Sequence, residues 1–447
     1  MLTVWGLDKS VRFSLVAMAL FLSAAFIGCS KSNSGNPVSS QQMSTVTGEV
    51  YGQQGLAKRA AVSSINATGI QGATVTLAQV QADGSLKTVS VASSKTDATG
   101  HFSVSTDLTG VSDLVVVANQ GTSQWEAVVS APVAQGSTVE CQPLTDQTTV
   151  QAQIFARVFQ DGKSGEVSTS DIQLYVSPTV AASVMGNASA VAQLATALEA
   201  EGDARSSAFL QLGVSQAQLQ TAAASRTQVQ IALESSLYTA AGDSLGDYLA
   251  LQSYYTGSVA AYVATGIALD VCAKAEQASS ATLVNFSSSI STNTQFAVEQ
   301  SSSLIRAVLM GQAISTEFSA AGGTQSEIAL VTAADNTLVA MLEAAVTPND
   351  MAAAFASYHN TVLAQLEAMA GTNSTAIGSM DGTINATGGL RTALQSSVSS
   401  ATSASAIVSA YVTFYNSVGT MMHGMNGMNS SQLDAATQIM CLIDSNI

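Results

Sequence analysis

The richest concentration of soft ligands in the chain is MMHGMNGMN, Met421 to Asn429, where four methionines and one histidine fall within eight residues. Thioether and imidazole groups suit Cu(I). Gly424 and Gly427 give the loop the freedom to bring Met425 and Met428 toward His423, which makes these three the candidate copper ligands. The same methionines also read as plugs at the end of a helical bundle, since Met adapts to irregular gaps. A second constellation is GDSLGDY, Gly242 to Tyr248, which satisfies G-x-S-x-G. An esterase built on it needs Ser244 on a tight strand-to-helix turn, with a histidine and an aspartate converging on it. The preceding QVQIALESSLYTAA reads as a helix, so a Gly-flanked helix junction with Asp243 as cap is the stronger reading. DGKSGEVSTSDI, Asp161 to Ile172, has the outline of a calcium loop but lacks glycine at its sixth position and glutamate at its twelfth.

The chain has three histidines, which excludes a His-rich zinc site. His101 falls on a strand after a turn and is expected to face solvent. His359 flanks a helical stripe and reads as a hydrogen-bonded helix residue rather than a base.

The elements that must position these groups fall into two regimes. From about residue 45 to 143, short alternating runs lie between turn signals. TVTGEVYG and GATVTLAQV are strands, with Ala73, Val75 and Leu77 inward. ADGS is an Asp-Gly hairpin turn. TDATGHFSVS, DLVVVANQG, QWEAVVS and STVECQP continue the pattern. About seven strands at this spacing predict an antiparallel β-sandwich. Gln53 to Thr68 interrupts it as an irregular surface loop.

From 144 to 447 the helical period takes over. In TPNDMAAAFASYHNTVLAQLEAMAG, Thr347 is a good N-cap, Pro348 suits the first helical position and Asp350 sits at the positive dipole end. Met351, Phe355, Tyr358, Val362, Leu366 and Met369 form its apolar stripe, and Gly371 ends it. Further stripes run through Ile328, Val331, Leu338, Leu342 and Ala345, through Leu219, Ala222, Val229, Leu233 and Leu237, and through Leu390, Leu394, Val398, Tyr411 and Val418. Ser431 and Asp434 read as a capping box for the last helix. GSVAAYVATGIALDVC, Gly257 to Cys272, is too short for a membrane span and reads as one buried helix. Ala, Ser and Gly between the stripes let helices approach closely, so an all-α bundle of five to eight helices is expected.

Composition narrows the functional classes. Charged residues are 10% of the 447-residue chain and aromatics 5%, with a formal net charge of −16. Phosphate binding needs clustered Lys and Arg, and no basic run occurs, which argues against a nucleic-acid partner.

Three resemblances follow from particular residues. Lys9 and Arg12 precede an apolar run from Phe13 to Phe26, as in a signal peptide. Phe26-Ile27-Gly28-Cys29 then resembles a bacterial lipobox. The resemblance implies that Cys29 receives a diacylglycerol, that residues 1–28 are removed and that the new amino group is acylated. Ser30, not Asp, follows the cysteine, which by the same resemblance implies the outer membrane, on its periplasmic or its surface side. SKSNSGNPVSSQQMS makes residues 29–44 a flexible tether. With Cys29 lipidated, Cys141, Cys272 and Cys441 remain, an odd count; Cys272–Cys441 is the candidate bridge in an oxidising compartment, and buried apolar thiols are the alternative.

The order TGEVYG, GATVTL, KTDATGHFSV, DLVVVANQG resembles the carboxypeptidase regulatory-like, transthyretin-like β-sandwich. There Asp97 is expected to accept N–H groups across the turn, Gly100 to take a positive φ and Phe102 to enter the core. These are fold residues, and such domains are accessory modules. GDSL also spells the name of a lipase and esterase family, but that family places a D-x-x-H near its C-terminus, and none occurs here. The expected protein is a membrane-anchored envelope lipoprotein without enzymatic activity, acting on an unidentified protein or cell-surface partner. The alternatives are a copper- or ligand-binding lipoprotein and, more remotely, an esterase using Ser244.

Overall fold

The computed structural model describes residues 43–52, 69–223 and 257–446, apart from Thr109, Ser112, Ala131 and Asn426. Cys29 with its flanking segments, the 53–68 insertion, Ser244 and the stripe residues Val229, Leu233 and Leu237 lie outside the described residues.

The strands are β1 (Ser44–Gly52), β2 (Thr74–Val80), β3 (Leu86–Thr88), β4 (Ser94–Lys95), β5 (His101–Thr106), β6 (Leu114–Gln120), β7 (Ser123–Val129), β8 (Thr138–Glu140) and β9 (Leu144–Thr145). They form one curled sheet in the order β3-β2-β6-β7-β9-β1-β5, with β4 on β2 and β8 on β1. The sheet is mixed rather than purely antiparallel, because the chain returns after β7 in the direction of β1, and β8 and β9 both pair with β1 in parallel. It also runs to Thr145, slightly past the expected boundary.

The turn before β5 behaves as its residues dictate. Asp97 Oδ1 accepts N–H groups from Thr99 at 2.8 Å and His101 at 3.0 Å. Gly100 has φ +88°, and a Cβ there would stand 2.7 Å from the Val50 carbonyl oxygen. Phe102 then enters the inner core with Val46, Val75, Leu77, Val104, Leu114, Val116 and Leu144. His101 is half exposed and lies 3.0 Å from Glu49.

The other face of β2, β6 and β7 is covered as well. Ala78, Val80, Val115, Val117 and Val128 belong to the same apolar cluster as the helical residues. The first helix, α1 (Asp146–Gln160), supplies this cover. Thr145 caps it reciprocally with Thr148, and Thr149 Oγ1 accepts the Glu126 N–H of β7 at 3.0 Å. The described residues group as one compact unit.

Next come α2 (Thr169–Tyr175), α3 (Pro178–Val184), α4 (Ala188–Gln211), α5 (Leu269–Ser287), α6 (Thr292–Ala320) and α7 (Gln325–Ala344). The last are α8 (Pro348–Ala370), α9 (Ser374–Ile384), α10 (Leu390–Ser400), α11 (Ala404–Met422) and α12 (Ser430–Asp444). These elements outnumber the expected five to eight, because Gly, Ser and Asn punctuate the stripes into shorter pieces. The stripe from Leu390 to Val418 is two helices, broken at 401–403. The span from Gly257 to Cys272 is also broken, at Gly266 with φ +84°, so α5 begins only at Leu269. The last helix is capped by Asn429 with Gln432, not by Ser431 with Asp434, because the Asn429 side chain accepts the Gln432 N–H at 2.9 Å.

α5 lies against α4, α6, α11 and α12. Its residues from Cys272 to Leu283 are all buried, and most are Ala, Ser or Thr. Small side chains bring helix axes close, so backbone packing replaces the bulky aromatics that this chain largely lacks. Ser279, Ser280 and Thr282 are fully buried; Thr282 Oγ1 donates to the Ala278 carbonyl at 2.9 Å, which satisfies its hydroxyl within the helix.

Candidate functional site

The strongest concentration of interior charge lies where α2, α4 and α5 meet. A capping box starts α2: Ser168 accepts the Asp171 N–H, and Asp171 Oδ2 accepts from Ser168 N at 2.9 Å and Oγ at 2.7 Å. This fixes the Asp171 carboxylate, whose Oδ1 accepts from Arg205 Nη1 of α4 at 2.7 Å. Arg205 Nη2 also lies 3.7 Å from Glu201, one turn earlier on the same helix. Tyr175 closes the group, with its hydroxyl 2.8 Å from Glu276 Oε1 and 3.3 Å from Glu201 Oε1. Ser280 donates to the same Glu276 oxygen at 2.9 Å.

Burial, the largest effect, raises the Glu201 carboxyl well above the ordinary carboxylate range, and Arg205 opposes the rise only in part. Tyr175 has one hydrogen, which goes to the nearer Glu276. The contact to Glu201 is the longer, weaker one of the same hydroxyl. Arg205 and Asp171 form the close ion pair. The neighbouring cavity, lined by Tyr175, Arg205, Ser258, Tyr262, Cys272 and Glu276, is about 30 Å³. That volume holds one or two waters rather than an organic ligand. The Ser258 hydroxyl, buried without a protein partner, is suited to such a water.

Cys272 lines this cavity, and burial pushes its thiol up to about 12. Cys441 lies elsewhere, with Sγ 3.8 Å from the Tyr415 carbonyl, and burial likewise raises it to about 12. Both are free, buried thiols in this structure, where Cys272–Cys441 was the candidate bridge. A thiol held protonated at neutral pH is a poor nucleophile and a poor metal ligand.

The methionine loop lies against the end of the helical core. Met422 is fully buried, and Met425 and Met428 are partly buried against the helical core. His423 is the C-cap of α11, exposed, with Nδ1 2.7 Å from the Gly419 carbonyl. Lys274 of α5 joins Asp270 at 3.0 Å, contacts Gln438 of α12 and lies over the Tyr415 ring. His359 is hydrogen-bonded, as its sequence context implied, with Asp381 and Asp444 as neighbours.

Sequence reasoning missed Arg205, Glu201, Tyr175 and Glu276, and met Asp171 only as part of an imperfect calcium loop. One signal was available: Arg205 is among 14 basic residues in the whole chain and stands one turn after a glutamate in an Ala-rich helix.

Among the described residues no helix is long and apolar enough to cross a membrane. No family profile, curated protein or solved structure matches the chain.

Proposed function

We propose that this chain is a lipid-anchored protein of the cell envelope, attached at the outer membrane through Cys29, and that its folded part binds or supports a partner rather than catalysing a reaction. The observation that carries this reading is the run FLSAAFIGCSKSNSGN, in which an apolar stretch of signal-peptide length ends on Gly28-Cys29 and a polar tether begins at once. Each buried CH₂ contributes about 0.8 kcal/mol, and anchoring becomes stable only with two or more acyl chains, as a lipidated and acylated Cys29 would carry. Residues 29–44 then hold the folded unit off the bilayer.

In this reading the curled sheet is a carboxypeptidase regulatory-like sandwich, supported by the roles of Asp97, Gly100 and Phe102. The helices form a bundle around α5. The non-catalytic role is supported by what the interior groups already do. Arg205, Asp171, Tyr175 and Glu276 occupy one another, the adjoining cavity is water-sized, and Cys272 and Cys441 stay protonated. The partner is a protein or cell-surface component rather than a nucleic acid, given the net charge of −16.

Metabolic labelling with palmitate tests the anchor. The wild-type chain is expected to carry label and to fractionate with the outer membrane, and Cys29→Ser to lose both. Label that persists in Cys29→Ser would sink the proposal.

A further inference from the structure

Away from the Arg205 cluster, three helices converge on one point. His359 of α8 places Nε2 2.9 Å from Asp381 Oδ1 of α9 and 2.9 Å from Asp444 Oδ1 of α12. One ligand-competent atom from each of the three lies within 4.8 Å of the others. An imidazole Nε2 carries at most one hydrogen, so it is directed fully at only one of two carboxylates. A simple ion pair therefore explains one of these contacts and leaves the other underused.

The spacing fits a different occupant. Donor atoms bound at about 2.0–2.1 Å to a divalent ion stand roughly 3 Å apart at neighbouring octahedral positions, and slightly further at tetrahedral ones. The two N···O separations match that edge. Asp444 is fully buried, yet its second oxygen, Oδ2, has no hydrogen-bond partner. A buried carboxylate oxygen left unpaired is costly, the more so when charged. It is the atom that a bidentate contact to a cation would employ.

The surroundings orient the carboxylates as an outer shell does around a bound ion. Asn385 Nδ2 donates to Asp444 Oδ1 at 2.8 Å and to Asp381 Oδ1 at 3.0 Å. Arg391 donates to Asn385 Oδ1 at 3.3 Å and to the Asn446 carbonyl at 2.6 Å, which fixes both Asn385 and the chain after α12. The His359 and Asp381 side chains are 14% and 16% exposed, so one edge of the cluster is open to solvent for entry and for water ligands. Once the imidazole gives up its proton to a metal ion, it and the two carboxylates carry two negative charges, which a dication neutralises.

We propose that His359, Asp381 and Asp444 bind one divalent transition-metal ion, with the remaining coordination positions taken by water. One imidazole and two carboxylates suit zinc or manganese better than a soft ion such as Cu(I). The ion cross-links α8, α9 and α12 near the C-terminal end of the chain.

The test uses the untagged full-length chain in detergent, stripped with chelator and titrated calorimetrically with zinc chloride, then with manganese chloride. One equivalent is expected to bind, and the melting temperature is expected to rise on loading. Asp381→Asn keeps the side-chain shape at a partly exposed position, and His359→Gln removes the nitrogen ligand. Each is expected to weaken binding by on the order of 100-fold and to lose the rise in melting temperature, with its helical circular dichroism retained. Absence of saturable one-to-one binding in the wild type would overturn the site and leave an ion-pair clamp. Equal binding in the wild type and both variants would overturn it too, by placing the ion elsewhere.

Discussion

Arg205 is the cation that neutralises the interior carboxylates of α2 and α4, and its replacement separates pairing from packing. Arg205→Leu fills a similar space but leaves Asp171, which is almost fully buried, without its partner. Removing one member of a buried pair costs roughly 3–5 kcal/mol. Urea unfolding is expected to show a loss of about 3 kcal/mol, at the lower end because the Arg205 side chain keeps some solvent contact. The double variant Arg205→Leu/Asp171→Asn is expected to recover part of it, since the Asp171 charge that loses its arginine is removed. A loss below about 1 kcal/mol in the single variant would mean that the pair is already well solvated. Beyond the Glu201–Arg205 turn, this cluster was not legible in the sequence. Asp171 and Arg205 are 34 residues apart, and Tyr175 and Glu276 are 101 apart. No local period encodes pairings at that separation.

Elements were legible where local chemistry alone specifies them. The α8 helix begins and ends as Thr347, Pro348, Asp350 and Gly371 predict, and Met351, Tyr358, Val362 and Leu366 are buried along the expected stripe. Thr347→Ala removes a cap whose hydroxyl accepts the Asp350 N–H at 3.2 Å, and is expected to cost about 1 kcal/mol in chemical denaturation. An unchanged midpoint would show that Asp350, which accepts from the Thr347 and Val346 N–H groups, holds the helix start unaided. In the sheet, Gly48 lies on the buried face of β1 between Val46 and Val50, and nothing in the sequence marks it as an obligatory glycine. A Cβ there would stand 2.8 Å from both Cys141 Sγ and Phe102 Cζ. Gly48→Ala is therefore expected to destabilise by about 1–3 kcal/mol, read from the same denaturation curves. Wild-type stability in that variant would mean that the Phe102 ring can shift. Element boundaries were the weaker part of the reading. Asn429 rather than Ser431 caps α12, and Gly266 interrupts a run that looked continuous, because several residues nearby have equal capping or breaking ability. The unbroken Leu114–Ala118 run in β6 did carry a signal: a strand apolar on both faces is covered on both, here by the inner core and by the helical cluster.

For the whole molecule, acidity is the dominant electrostatic fact, and it sets the direction of the pH dependence. Burial, the largest effect, raises Asp335 to about 7, and the nearby Tyr358 hydroxyl opposes the rise only in part. Burial, followed by Asp161, raises Glu199 to about 7, and burial, followed by Asp270, raises Glu317 to about 7. Each folded group keeps its proton to a higher pH than the unfolded chain, whose carboxyls titrate near 3.9–4.3. The stability linked to these groups is therefore fully present below about pH 4 and is lost as pH rises through about 7. Self-repulsion at a net charge of −16 acts in the same direction. In chelator-treated protein the melting temperature is expected to fall by a few degrees between pH 5 and pH 8, and Asp335→Asn is expected to flatten the slope. A melting temperature that climbs over that range would contradict the burial of these carboxylates. At this scale the proposed address rests on one contiguous run of the sequence, whereas a partner has no such run to rest on, because surface recognition leaves no short pattern. The central claim, that Cys29 becomes the lipidated first residue of a tethered envelope protein, is tested most directly by intact-mass spectrometry of the chain recovered from the outer membrane. The account predicts a mature protein that begins at Cys29, lacks residues 1–28 and is heavier than its polypeptide by a diacylglyceryl thioether and an amide-linked acyl chain. A chain that retains residues before Cys29, or one with an unmodified Cys29, would contradict it.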